Sequence, residues 1–271
     1  MTPATASPRP GSLRIFATHP AVTTTVGMIA IAVVWESAVR ALNVPAFILP
    51  RPSLVIAKIV SDLTTGVIAV HFRVTLVEVL VGFGIAAVAG VAVGAAIALV
   101  PAVERMVYPL VLGLQTIPKV AIAPLLIIWV GYGVQSKVLT AALIAFFPVL
   151  VNVMAGVKTV EPRRILLMRA LNAGWWTTFK KVRIPSMLPY LFAGLEVAAV
   201  FAVIGAIVGE FIGASEGLGS LIIQRQGAID VAGVFSVLAY LSAMGIALSI
   251  VIRIIARRYA FWAHGTEQAT P

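Results

Sequence analysis

Residues 74–99 read VTLVEVLVGFGIAAVAGVAVGAAIAL, and this run decides the fold class. A helix needs about 20 mainly apolar residues to cross the hydrocarbon core of a bilayer, and this stretch exceeds that length. Working outward, runs of comparable character lie at 22–42, 107–131, 137–157, 189–212 and 232–254. Six crossings are therefore expected. Nearly all other residues are connectors or tails, and no internal repeat is visible.

Composition agrees. Of 271 residues, 61% are hydrophobic and 11% charged, with a mean hydropathy of +1.05. A soluble domain carries about 25% charged residues. Such a chain cannot cover itself with polar surface, so lipid is the solvent for much of it. The expectation is an all-α integral membrane protein with one transmembrane domain at 22–258. A disordered tail at 1–21 and a second tail at 259–271 flank it. The first apolar run lacks a small-residue cleavage site and reads as a retained helix, not a signal peptide.

The net charge is +10, but the 20 Lys and Arg residues cluster between apolar runs. That distribution suits the anionic cytoplasmic leaflet and not a nucleic-acid-binding face. Six crossings with both termini inside put thirteen of the 20 in the cytoplasm and six outside, with Lys119 within the third run. Outside, SLVIAKIVSDLTT (53–65) reads as a short amphipathic helix on the membrane surface.

Several chemistries are absent. There is no cysteine, and His19, His71 and His264 form no metal-binding spacing. No GxxxxGK[ST] phosphate loop occurs, so the chain is not expected to hydrolyse ATP or to carry a cofactor.

Small residues recur every four positions in two runs: Gly82, Ala86, Gly90, Gly94 and Ala98, then Gly205, Gly209, Gly213 and Gly217. Such ladders let helix backbones approach closely, either within the chain or between two copies. Charges inside apolar runs are functional candidates by default. Glu36 and Arg40 have the spacing of a local salt bridge. Glu196 and Glu210 lie fourteen residues apart, within about 40° of one helix face and about 21 Å from each other. Either they serve as gates or they pair locally. Lys119, with Gln115 one turn before it, falls near mid-depth between Pro118 and Pro124. These four residues, Gln115, Lys119, Glu196 and Glu210, are the candidate lining of a translocation pathway. Lys119 would either contact anions or satisfy freed carbonyls and pair with an acid such as Glu196.

The loop 158–188, KTVEPRRILLMRALNAGWWTTFKKVRIPSML, is long for this chain. Apolar and basic residues alternate at helical spacing and break near Asn172 and Gly174. A short helix, a turn and a second helix stopped by Ile184-Pro185 are expected. The element either covers helix ends or offers its turn to a soluble partner.

This loop resembles the cytoplasmic loop of binding-protein-dependent ABC importer permeases. That family's pattern is EAA, three residues, Gly, then a dozen residues to an apolar-Pro pair. Leu166-Leu167-Met168 stand where EAA is usual and Asn172 where Gly is usual. Ala170 to Trp175, Phe179 to Pro185 and Leu188-Pro189 fit well. Leu49 to Ser53, Ile117 to Leu126, Ile128 to Gly133, Phe146 to Asn152 and Gly209 to Gly219 resemble the nitrate/sulfonate/taurine-type branch.

The resemblance implies a type I ABC importer permease fold in a bacterial inner membrane. It also implies a second permease copy as a homodimer partner, two cytoplasmic ATPase subunits and an extracytoplasmic substrate-binding protein. ATPase coupling would fall on Arg163, Arg164, Met168, Ala170, Asn172, Ala173, Gly174, Trp175, Ile184 and Pro185. The solute would be small and anionic, like a sulfonate, nitrate or an aromatic acid. An ion-gradient-driven secondary transporter is the alternative reading. A membrane-embedded enzyme fails for lack of a convergent His, Asp or Cys set.

Overall fold

The computed structural model describes residues 20–262. Most of the two tails, with His19 and His264, lies outside the described residues. Helix α1 (Pro20–Ala41) leads through a turn to α2 (Pro52–Thr64) and then to α3 (Val67–Leu99). Helix α4 (Pro101–Thr116), a 3₁₀ turn (Lys119–Ile122) and α5 (Ala123–Val130) follow. Helix α6 (Val134–Lys158) is joined by α7 (Pro162–Ala170) to α8, continuous from Trp175 to Phe211. Helices α9 (Leu218–Gly227) and α10 (Val231–Tyr259) complete the chain. Among the described residues there is no strand.

The core is a bundle of α3, α6 and α8 held by small residues. A Cβ added at Gly82 would sit 2.6 Å from Ala141 Cβ, at Gly90 2.7 Å from Val149 Cβ, and at Gly94 3.1 Å from Val153 Cγ1. The partner number rises with the glycine number, so α3 and α6 run parallel. On α8 the order reverses: Gly194 meets Asn152, Gly205 meets Ala141 and Gly209 meets Lys137. Helices α6 and α8 are antiparallel. Both ladders thus serve packing within one chain, which removes the sequence argument for placing them between copies. The second ladder also leaves its helix: α8 ends at Phe211, and Gly213 and Gly217 sit in a loop with φ of +149° and +116°.

Among the described residues, five helices are long and apolar enough to span a membrane. The sixth crossing follows from direction. Because α3 and α6 are parallel, the chain must return across the membrane between them, and only residues 101–130 can do so. That return is not the continuous helix expected at 107–131. Helix α4 stops at Thr116, and the two halves are bent by 81°. Pro118 has no N–H to donate and forces the preceding residue out of the α region, so Ile117 takes φ −67°, ψ +128°.

A second correction concerns Ile184-Pro185, which does not stop a helix. Pro185 falls just after a π turn (Phe179–Arg183) in which Ile184 N–H reaches back to Phe179 O. The wider turn takes up the missing proline donor, so the loop's second helix runs on as α8.

The short helix expected at 53–65 is present as α2, and one of its residues reaches inward. Asp62 on α2 and Arg225 on α9 are only 4% and 7% exposed. Arg225 Nη2 lies 2.6 Å from Asp62 Oδ1 and Nη1 lies 2.9 Å from Oδ2, a bidentate pair. Ser236 Oγ donates to Asp62 Oδ2 at 2.6 Å, and Arg225 Nη1 donates to Gly233 O at 2.7 Å. Helix α2 is thereby pinned to α9 and α10, and α9 itself is a helix inside what the sequence presents as a loop.

Candidate functional site

Two of the four pathway candidates converge and two do not. At the break after α4, Gln115 and Lys119 line a cavity of about 250 Å³ with Phe147, Asn152, Val197 and Phe201. The walls come from the end of α4, the middle of α6 and the middle of α8. Lys119 is not carried on a continuous helix at mid-span. Its Nζ donates to Gln115 O at 3.2 Å, where the broken helix leaves a carbonyl without its backbone partner. The same ammonium lies 4.8 Å from the Phe147 ring centroid, within range of a cation–π contact. Gln115 Nε2 is buried without a hydrogen-bond acceptor. The cavity thus offers a cation, a free amide donor and two aromatic rings, which suits a small solute bearing acceptor oxygens.

Glu196 is elsewhere. It pairs with Arg253 of α10 across a separate groove of about 690 Å³ whose walls are otherwise largely apolar. It makes no pair with Lys119. Glu210 is 1% exposed and lines neither of these two cavities. Thr75 Oγ1 donates to its Oε1 at 2.6 Å, and Gly219 N–H donates to its Oε2. Phe147, Asn152 and Phe201 were not identified as lining residues. Their signal was available in Asn152, a polar side chain within an apolar run that also contains Pro148.

At the opposite end of α6 and α8 lies the loop 158–188. Helix α7 closes on a turn whose geometry accounts for the unusual residue there. Asn172 N–H donates to Arg169 O and Ala173 N–H donates to Met168 O, both at 2.9 Å. This is the Schellman arrangement, which needs a left-handed residue at its corner, and Asn172 has φ +53°. Glycine is the usual occupant of such a corner, and Asn is among the few other residues that tolerate it. The departure from the family pattern at Asn172 therefore preserves the backbone.

Beyond the turn, Gly174 is the N-cap of α8. Trp175, Trp176 and Phe179 stack with centroids 5.3–6.0 Å apart. Leu166, Leu167, Leu171, Trp175 and Trp176 are all at least 59% exposed, beside the exposed Arg163 and Arg164. Met168 is half-buried, Ala170 and Ala173 differ in exposure, and Ile184 and Pro185 are partly covered within α8. Among the described residues, no cluster of His, Cys, Asp and Glu is placed to hold a metal ion.

Residues 82–261 match the family described as the binding-protein-dependent transport system inner membrane component. The riboflavin transport system permease protein RibX of Chloroflexus aurantiacus is 35% identical over 257 residues, covering 94% of this chain and 95% of that protein. The formylaminopyrimidine transport permease protein ThiX of Halalkalibacterium halodurans is 36% identical over 214 residues, covering 79% and 85%. The taurine transport system permease protein TauC of Escherichia coli is 30% identical over 257 residues, covering 91% and 92%. The chain, with its parallel and antiparallel bundle, broken return helix and exposed turn, belongs to this family of binding-protein-dependent ABC importer permeases.

Proposed function

We infer that this chain is the membrane-spanning subunit of an ATP-driven importer in a bacterial inner membrane. It takes a small anionic solute from an extracytoplasmic binding protein and passes it inward between two permease copies. Separate ATPase subunits on the cytoplasmic side supply the energy through residues 158–188. The observation that carries this reading is the helix–turn–helix at that loop. It presents a contiguous set of exposed Leu and Trp side chains at the end of the rigid bundle, and such a patch marks a binding surface. Helix α8 continues from the turn into the core, so a push at Trp175 is transmitted directly to Gly194 and Gly205 against α6. The excess of basic residues in these connectors supports a cytoplasmic position for this loop and both termini.

The substrate class rests on Lys119 and Gln115 in the cavity. Relatives are named for riboflavin, formylaminopyrimidine and taurine, which share acceptor oxygens or ring nitrogens but not a charge. The anionic class is the one that the Lys119 ammonium favours.

The test is to block the turn without disturbing the fold. A Cβ at Gly174 would meet nothing within 4 Å, and Ala170 is exposed. Gly174→Leu and Ala170→Trp should assemble normally in the membrane and lose ATP-dependent uptake and stimulated ATPase activity. Full coupling in both variants would overturn the reading. A broken helix would equally suit a carrier driven by an ion gradient. Uptake that continues without the ATPase but collapses with the gradient would establish that alternative.

A further inference from the structure

Three helices bring two acids and one base together in the interior, beside the loop that follows α8. Glu78 of α3 is wholly buried one helical turn beyond Thr75, whose Oγ1 lies 2.6 Å from Glu210 Oε1 on α8, so the two buried carboxyls sit side by side. Lys137 of α6 completes the group, its Nζ 3.4 Å from Glu78 Oε1. No residue of this cluster lines the cavity at Lys119, and the docking loop lies at the other end of the bundle.

The two carboxyls are supplied very differently. Glu210 accepts from Thr75 Oγ1 on one oxygen and from the Gly219 N–H on the other. Neither oxygen of Glu78 receives a hydrogen bond. A buried carboxylate without donors is costly, whereas a carboxylic acid carries a donor of its own and needs only an acceptor. The acceptor is at hand in Glu210. Charge leads to the same assignment. With both acids ionised, the cluster would hold two negative charges against one ammonium away from water. With one proton bound it is neutral, and like-charged carboxyls in contact share a proton for this reason.

The cluster also holds a segment in place. Glu210 binds the Gly219 N–H, Thr75 Oγ1 accepts from Leu218 N–H at 2.7 Å, and Gly217 N–H donates to His71 Nδ1 at 3.1 Å. Residues 212–219 are thus tied to α3 through Glu210, Thr75 and His71. Gly217 and Gly219 lie so close to the Glu210 carboxyl that a side chain at either would collide with it.

We propose that Glu78 and Glu210 form a buried proton-binding site, in which the Glu78 O–H donates to Glu210 and locks residues 212–219 onto α3. Loss of the proton to water leaves two facing carboxylates against Lys137 alone. Their repulsion draws Glu210 away from Thr75 and Gly219 and releases the segment. The sign is therefore closed when protonated and open when deprotonated. Lys137 from α6 and His71 from α3 also face the cluster and its segment, and Glu216 lies within the segment itself. His71 Nδ1 also lies 3.0 Å from Gly217 O, so either tautomer of the ring keeps a contact with Gly217. Tyr132 meets the segment at Gly213.

The chain has no cysteine, so a single introduced thiol can report the opening. Ser220 is 3% exposed and its Oγ donates to Ala214 O beneath the segment. The full-length protein in lipid nanodiscs is titrated upward from neutral pH. The infrared C=O band of a protonated carboxylic acid and the maleimide labelling rate of Ser220→Cys are followed together. Labelling is normalised to an exposed reference thiol at Thr64→Cys. We expect the band at neutral pH, its loss on alkaline titration, and a several-fold rise in relative labelling over the same pH interval. Glu78→Gln, which keeps a donor and removes the titrating group, should abolish the band and hold labelling low throughout. A band absent from the unsubstituted protein at neutral pH overturns the proposal without recourse to any variant. So does a band that survives Glu78→Gln, or labelling whose pH dependence that variant leaves unchanged.

Discussion

The α3–α6–α8 bundle and the segment 101–130 both contain spans expected from the sequence and differ in how they meet the rest of the chain. In the bundle, glycine replaces side chains at the contacts, so backbones touch and there is no room to give. The return segment carries Pro109, Pro118 and Pro124 where the bundle has glycines, bends by 81° and leaves a cavity at its corner. Close packing fixes distances, whereas a break exposes carbonyls and makes space for polar groups. The first region is suited to transmitting displacement and the second to contacting a solute. The comparison implies that substitutions in one region should cost stability and in the other should cost transport.

The largest effect is expected where packing and burial coincide. Arg225→Met or Asp62→Ala leaves an uncompensated buried charge and should cost about 3–5 kcal/mol in thermal unfolding of the purified protein. The apolar double replacement Asp62→Leu with Arg225→Met should restore most of it. Single variants that unfold like the parent would mean that the corner of α2, α9 and α10 is not rigid.

Next comes the glycine seam. A Cβ at Gly205 would lie 2.6 Å from Ala141 Cα, so Gly205→Val should cost about 1–3 kcal/mol or more through overpacking. Gly113 meets nothing within 4 Å, and Gly113→Ala should be neutral or stabilising by up to about 1 kcal/mol. Equal losses at both positions would erase the distinction between the two regions.

Lys119→Gln sharpens it from the other side. Thermal stability should stay near that of the parent, while uptake of an anionic substrate falls by about tenfold, the scale of one charged hydrogen bond. Unchanged uptake in correctly assembled protein would leave Lys119 with only its contact to the Gln115 carbonyl.

Two smaller effects lie outside both regions. Ile229 holds φ +56° at the end of α9, a conformation that costs a non-glycine residue roughly 1–2 kcal/mol. Ile229→Gly should accordingly raise the unfolding temperature, and a fall would show that the side chain is needed where it stands. Glu196 and Arg253 form a pair whose members are partly exposed. Arg253→Gln should change stability by less than about 1 kcal/mol, with a larger loss indicating that the groove between α8 and α10 is covered in the assembled transporter.

The all-α membrane class, the six crossings and the turn at Asn172–Gly174 were legible in the amino-acid order, because run length, apolarity and breakers are local properties. The same is true of the Glu36–Arg40 pair, found at 2.6 Å, since four residues on a helix set the distance. The break at Pro118 was half legible. Both prolines were noted, yet counting residues favoured an unbroken span, because hydropathy does not record direction. Only the parallel run of α3 and α6 shows that a bent pair makes the return. Contacts across many residues lay beyond the sequence altogether: Asp62 with Arg225, and Glu78 with Glu210 and Lys137. Of these residues the sequence singles out Glu210 alone, and it does not tell which groups Glu210 meets. Their partners are chosen by which faces the glycine seams bring together, and that choice is made by packing in three dimensions and not by spacing along the chain.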